Sequence, residues 1–147
     1  MLKTFILGCL VLVAVGLCRA QTGSRYPYTY KNRQIMIGQG GGITGASRVY
    51  CWLENGYLYV KSDNDSLYTR LGRKPAATTR RFFNELEKTC RIKTTRFNQP
   101  GNRYQFVSWK KNQQEFTVSW GDPRQPPPAR FVTFYQSFLA QMPKPKH

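Results

Sequence analysis

The chain is 147 residues long, about one domain's worth, with 23 Lys and Arg against 7 Asp and Glu and a formal charge of +16. Its single histidine is the last residue, His147, so an imidazole-based site would have to use a chain terminus. Beyond the first 20 residues no run is long and apolar enough to cross a bilayer.

Residues 1–20 read as a secretory signal. Lys3 supplies the positive start, residues 5–17 are apolar, and Ala20 closes a cleavage site with Cys18 at the −3 position. Cleavage near Ala20 would remove Lys3 and Arg19 and lower the charge from +16 to +14. The expected location is secreted or periplasmic. Leu17 before Cys18 is not the small residue that lipid attachment needs. Two cysteines, Cys51 and Cys90, would remain. An even count in an exported chain points to a disulfide, closing a loop of about 40 residues worth about 4 kcal/mol. Two buried free thiols are the alternative reading.

Residues 21–33 are polar and tyrosine-rich, with Tyr26, Tyr28 and Tyr30, and read as an extended N-terminal arm. Residues 34–38, 48–53 and 57–61 read as strands, the last two joined by an Asn55-Gly56 hairpin turn. Asp63-Asn64-Asp65-Ser66 is turn chemistry. The apolar period then changes. Phe82, Phe83, Leu86 and Cys90 mark one face of a helix over residues 76–89, with Pro75 before its first turn. Residues 98–102 form a Pro-Gly loop. Residues 103–109 and 114–120 alternate as a hairpin, the second placing Phe116, Val118 and Trp120 on one face. A proline run leads into a second helix over residues 129–142, with Phe131, Phe134, Tyr135, Phe138, Leu139 and Met142 as its stripe. Residues 143–147 are a basic tail. The order β-β-β-α-β-β-α predicts an α+β fold over residues 34–142. Its antiparallel sheet would have about four to five strands, with two helices packed on one face.

The most unusual stretch is Gly40, Gly41, Gly42, Ile43, Thr44 and Gly45, with four glycines in six residues. It lacks the Lys-Ser/Thr pair of a P-loop and the following helix that phosphate binding uses. Two readings stand: a turn or bulge that needs positive φ, or a loop bare of side chains on which a partner's backbone lies closely. Asn98, Pro100, Gly101 and Asn102 likewise form either a tight connection into the hairpin or an exposed recognition loop.

The catalytic inventory is thin. Glu54, Asp63, Asp65, Glu85, Glu87, Glu115 and Asp122 are all the acids, and no nucleophile, base and orienter assemble around them. No metal site or cofactor is expected, and no enzymatic activity. The cations cluster at Arg70, Arg73, Lys74, Arg80 and Arg81, at Lys88, Arg91, Lys93 and Arg96, at Lys110 and Lys111, and in the tail. Gathered on one side they would attract an anionic surface. Export points to envelope glycan or lipid rather than nucleic acid. A solvated positive surface without a specific ligand is the plainer reading.

Three blocks together carry a resemblance: Gly-Gly-Gly-Ile-Thr-Gly at 40–45, Asn-Gln-Pro-Gly-Asn-Arg-Tyr-Gln-Phe at 98–106, and Val-Ser-Trp-Gly-Asp at 118–122. The chain resembles small exported bacterial proteins of unknown function with a Gly-Gly-Gly-Phe-Thr-Gly block; Ile43 stands where these have Phe. More distantly it is similar to emfourin-type inhibitors of thermolysin-like metalloproteases. The resemblance spans residues 34–139. It implies an α+β domain that binds a protein partner, a metalloprotease in the emfourin case, through the glycine-rich loop or nearby turns. The sequence thus predicts an exported non-enzymatic binding module of protease-inhibitor type. The alternative is a basic envelope-associated protein that binds anionic glycan or lipid.

Overall fold

A computed structural model describes residues 26–143. The expected signal, the start of the arm and most of the tail lie outside the described residues. Among the described residues the fold is α+β, with one sheet and three helices. Strands β1 (Gln34–Gly41), β2 (Arg48–Leu53), β3 (Tyr57–Ser62) and β4 (Thr69–Arg73) form an antiparallel meander. β1 also pairs with β6 (Arg103–Lys111), β6 pairs with β7 (Gln114–Trp120), and the two-residue β5 (Asn98–Gln99) runs parallel to the end of β7. The sheet order is β4-β3-β2-β1-β6-β7-β5. The helices are α1 (Tyr26–Thr29), α2 (Ala76–Asn84) and α3 (Ala129–Ala140).

Among the described residues seven strands replace the expected four to five, and three helices the expected two. β4 is short and carries Arg70, Gly72 and Arg73, so it shows little apolar alternation and forms only because β3 offers it an edge. β5 spans two residues and exists only through its pairing with β7. α1 is a helical turn inside the stretch expected to be extended. β1 runs on through Gly40 and Gly41, which lie opposite Tyr104 and Arg103. That long-range partner overrides the glycine break expected after residue 38.

β1 lies in the middle of the sheet and is covered on both faces. Ile35 and Ile37 enter the larger core, with Trp52, Val107, Trp109, Val118 and Trp120 from neighbouring strands. Phe82, Phe83 and Leu86 of α2 and its extension, and Phe131, Phe134, Tyr135 and Phe138 of α3, close this core from above. The rings interlock. Trp52 lies 4.8 Å from Phe82 and 5.4 Å from Phe138, centroid to centroid. The indole N–H of Trp52 donates to buried Thr79 Oγ1 at 3.1 Å. Truncating a buried ring of this size costs roughly 3–5 kcal/mol.

α2 widens into a π-helical turn, Glu85–Thr89, where the Cys90 N–H bonds the Glu85 carbonyl at 2.9 Å. The residues match the expected helix 76–89, and only the winding differs. Arg91 then takes a left-handed conformation, φ 57°, and Ile92 N–H reaches back to the Leu86 carbonyl. That six-residue return closes the helix end.

The opposite sheet face carries a smaller core of Cys51, Leu53, Tyr59 and Tyr68. The N-terminal tyrosines cover it. Tyr28 lies 5.1 Å from Tyr68 and Tyr26 lies 6.2 Å from Tyr59. The Tyr28 hydroxyl accepts from Lys61 Nζ at 2.6 Å, and the Tyr30 hydroxyl from the Asn55 N–H at 3.2 Å.

This two-faced arrangement overturns the expected disulfide. Cys51 and Cys90 are both free and buried. Residues alternate along β2, so Trp52 faces the helices while Cys51 and Leu53 face the other way. Cys90 belongs to the helix side, and the sheet stands between the two sulfurs. Burial pushes the Cys90 thiol up to about 11 and holds the Cys51 thiol still further above its usual range. Native protein at mildly alkaline pH should therefore leave both thiols unlabelled by a thiol reagent. In denaturant without reductant both should label. A requirement for reductant before labelling would contradict the fold.

Arg33, just ahead of β1, joins the layers. Its Nη2 lies 2.7 Å from Glu54 Oε1 and its Nη1 3.1 Å from Glu87 Oε2. Hydrogen bonds from Arg33 hold the Glu54 carboxyl below its ordinary value. The unfolded chain takes up that proton at higher pH. The pair's contribution is therefore complete above the unfolded value of about 4.3 and is lost as pH falls through the lower folded value. Glu54→Gln should flatten the loss of stability on acidification below about pH 5, read by urea unfolding at a series of pH values. An unchanged acid slope would show that Glu54 has no part in it.

Candidate functional site

The two loops singled out by sequence come together at one end of the sheet. The register sets Gly41 opposite Arg103, and the Gly42 N–H donates to the Asn102 carbonyl at 2.8 Å. Gly41 has φ +87°, and a Cβ there would lie 2.1 Å from that same carbonyl oxygen. Only glycine allows this crossing. On the other side of the junction, a Cβ at Gly101 would meet the Gly121 carbonyl oxygen at 2.4 Å, and one at Gly121 would meet the Arg103 carbonyl oxygen at 2.0 Å. Three backbone segments therefore cross with no room for side chains.

The far foot of the glycine loop is also tied down. The Asp63 carboxylate accepts from both the N–H and the hydroxyl of Ser47. Gly45 N–H bonds the Gly42 carbonyl at 3.1 Å. Between these anchors Ile43 is fully exposed. It is a large apolar side chain held out from the tip of a clamped loop.

Beside the loop lies a cleft of about 740 Å³, lined by Gly40, Gly41, Gly42, Ile43 and Thr44 together with Gln39, Ala46, Arg103, Tyr104, Gln105, Trp120 and Gly121. No carboxylate, thiol or imidazole is among these residues. The Trp120 indole N–H donates to Gln105 Oε1 at 2.9 Å, which fixes the amide at the cleft wall. Arg103 runs along Gly42, and among the described residues no carboxylate pairs with it. Next to the cleft, Asp122 serves its own turn. Its carboxylate accepts from the Arg124 N–H at 3.0 Å and from the Arg124 side chain at 2.9 and 3.1 Å. The side-chain bonds hold the Asp122 carboxyl below its usual value.

The remaining sequence-selected residues divide by position. Gly45 sits in the loop outside the cleft lining. Asn98 is in β5, where its side-chain oxygen accepts from the Ser119 hydroxyl. Gly101 and Asn102 buttress the glycine loop through backbone. Pro100 borders a separate cleft on the opposite sheet face. Arg103, Gln105, Trp120 and Gly121 were not selected from sequence. The alternation of 103–109 was legible, but not that its first residues lie opposite Gly40 and Gly41. Among the described residues no group of three His, Cys, Asp or Glu is placed to hold a metal, and no helix is long and apolar enough to cross a membrane. No protein-family model matches the chain, and a search of curated proteins finds no match.

Proposed function

We propose that the chain is an exported, non-enzymatic protein-binding module that engages its partner with the glycine loop and the cleft beside it. One observation carries the reading: exposed Ile43 stands at the tip of a loop whose two feet are clamped by backbone and by Asp63. A loop already ordered before contact loses little conformational entropy on binding. The glycine backbone admits close approach, and Ile43 is the apolar anchor. Arg103, without a carboxylate of its own, supports an acidic or carbonyl-rich rim on the partner. The similarity to emfourin-type inhibitors suggests a thermolysin-like metalloprotease as that partner.

The test is inhibition of thermolysin by purified residues 21–147. Inhibition at micromolar concentration is expected, and Ile43→Asp should weaken it at least about tenfold, since a charge replaces a buried anchor. No inhibition by the parent protein across several thermolysin-like enzymes would remove the protease assignment.

A second reading rests on the outer side of α2. Arg80, Arg81 and Lys88 there, with Glu85 among them, line an open depression of about 740 Å³, a net-positive setting for anionic glycan or lipid. Such binding would fall steeply with salt. Salt-independent binding, or none to anionic vesicles, would exclude it.

A further inference from the structure

We infer that the open edge of β7 is a docking site for an extended peptide in which apolar and acidic residues alternate. β5 pairs only with Ser119 and Trp120, so residues 114–118 have no strand on that side. The direction of their backbone groups follows from the register. The Ser119 N–H bonds the Phe97 carbonyl, away from β6. In an antiparallel ladder outward groups recur every second residue, so Glu115 and Thr117 also present N–H and C=O outward. The 2.9 Å bond between the Thr117 and Ser108 hydroxyls agrees, because side chains lie closest at such non-hydrogen-bonded pairs.

The two edges of the sheet differ. β4 has Arg70 and Arg73 packed over Tyr57, and its pairing with β3 is bulged. Both features discourage edge pairing. Residues 114–118 (Gln-Glu-Phe-Thr-Val) contain no Lys, Arg or Pro.

The side chains specify the occupant. On one face, Pro100, Tyr104, Phe106, Glu115, Thr117 and Ser119 line a cleft of about 410 Å³. Its rings take apolar residues, and Glu115 repels acids. On the other face Arg96 lies 5.8 Å from the Phe116 ring, and among the described residues it has no ion pair. An added strand sends alternate residues to opposite faces. Apolar residues would then enter the cleft while acids meet Arg96. A second copy of this chain carries the same large positive charge and the same Arg96, so it is the poorer occupant. The inference is independent of the glycine loop, since Arg96, Glu115 and Thr117 lie off that cleft.

The experiment uses the blocked heptapeptide Val-Glu-Val-Glu-Val-Glu-Val, a version with Lys for Glu, and two N-methylated versions blocking alternate amides in each register. Amide exchange is followed by NMR on the full protein. The Glu peptide should slow exchange at Glu115 and Thr117 at least tenfold, and one N-methylated version should not. The Lys peptide should bind at least tenfold more weakly, and Arg96→Glu should reverse that order. No protection of these two amides by the Glu peptide would overturn the proposal, as would equal protection by the Lys peptide. Concentration-dependent protection in the protein alone would assign the edge to a second copy and overturn it equally. Ile43→Asp should leave the peptide result unchanged.

Discussion

Gly41→Ala is expected to destabilise the fold by roughly 3 kcal/mol, with a fall in Tm on the order of 10 °C. Two effects add. An L-residue at φ +87° is strained by about 1–2 kcal/mol. The new methyl would also stand 2.1 Å from the Asn102 carbonyl oxygen and 3.1 Å from its carbon. That oxygen belongs to rigid backbone and already accepts from Gly42, so it cannot move aside without breaking the junction. Gly45 supplies the control. Its φ is +62°, and nothing lies within 4 Å of a Cβ there. Gly45→Ala should therefore cost only the conformational part, about 1 kcal/mol. Urea unfolding of both variants separates the two contributions. Equal losses would show that the glycine loop is not clamped against the 98–102 loop. Under the proposed function, Gly41→Ala should also weaken inhibition of thermolysin more than its stability loss explains, because the junction holds the loop that carries Ile43.

The legible parts of this fold are those whose cause is local. Residues 114–120 alternate along their own length, and β7 has those bounds. Phe82, Phe83 and Leu86 share a helical stripe, and all three are buried under the sheet. The illegible parts depend on distant partners. Gly40 and Gly41 read as a break until Tyr104 and Arg103 are set opposite them. The same pairing also accounts for Gly38, which lies opposite Phe106. The rings of Phe106 and Tyr104 lie across Gly38 and Gly40, within 3 Å of where a Cβ would be. Of the four glycines in the block, Gly40 thus lies against an aromatic ring, while Gly41, Gly42 and Gly45, all at positive φ, shape the loop. The cysteines show the converse error. Both lie on or at the end of elements that are legible in the sequence, but strand parity alone does not say which face of β2 meets the helices. The neighbour Trp52, a larger apolar side chain, decides that by claiming the larger core.

The other large effect is expected at Glu87. Its carboxylate, 15% exposed, sits on the π-helical turn where three donors converge. The Trp109 indole N–H reaches Oε1 at 2.7 Å. Arg33 Nη1 contacts both oxygens, at 3.1 and 3.3 Å, and Lys93 Nζ lies 3.8 Å away. Arg33 also stacks 5.1 Å from the Phe83 ring, and Lys93 lies 4.1 Å from the Trp109 ring. One carboxylate thus fastens the helix layer to β6 and to the approach of β1. Glu87→Ala leaves the buried Trp109 N–H without an acceptor, about 1–3 kcal/mol by itself. It also removes one of the two carboxylates that hold Arg33. A total loss of roughly 2–4 kcal/mol is expected, with a shift in tryptophan emission as water reaches the indole. Glu87→Gln keeps an acceptor for Trp109 but not the charge, and should lose only about half as much. If Gln and Ala variants lost the same stability, the Arg33 charge pair would be the dominant contact and the indole bond incidental. If neither lost any, the helix layer would be held by its aromatic core alone.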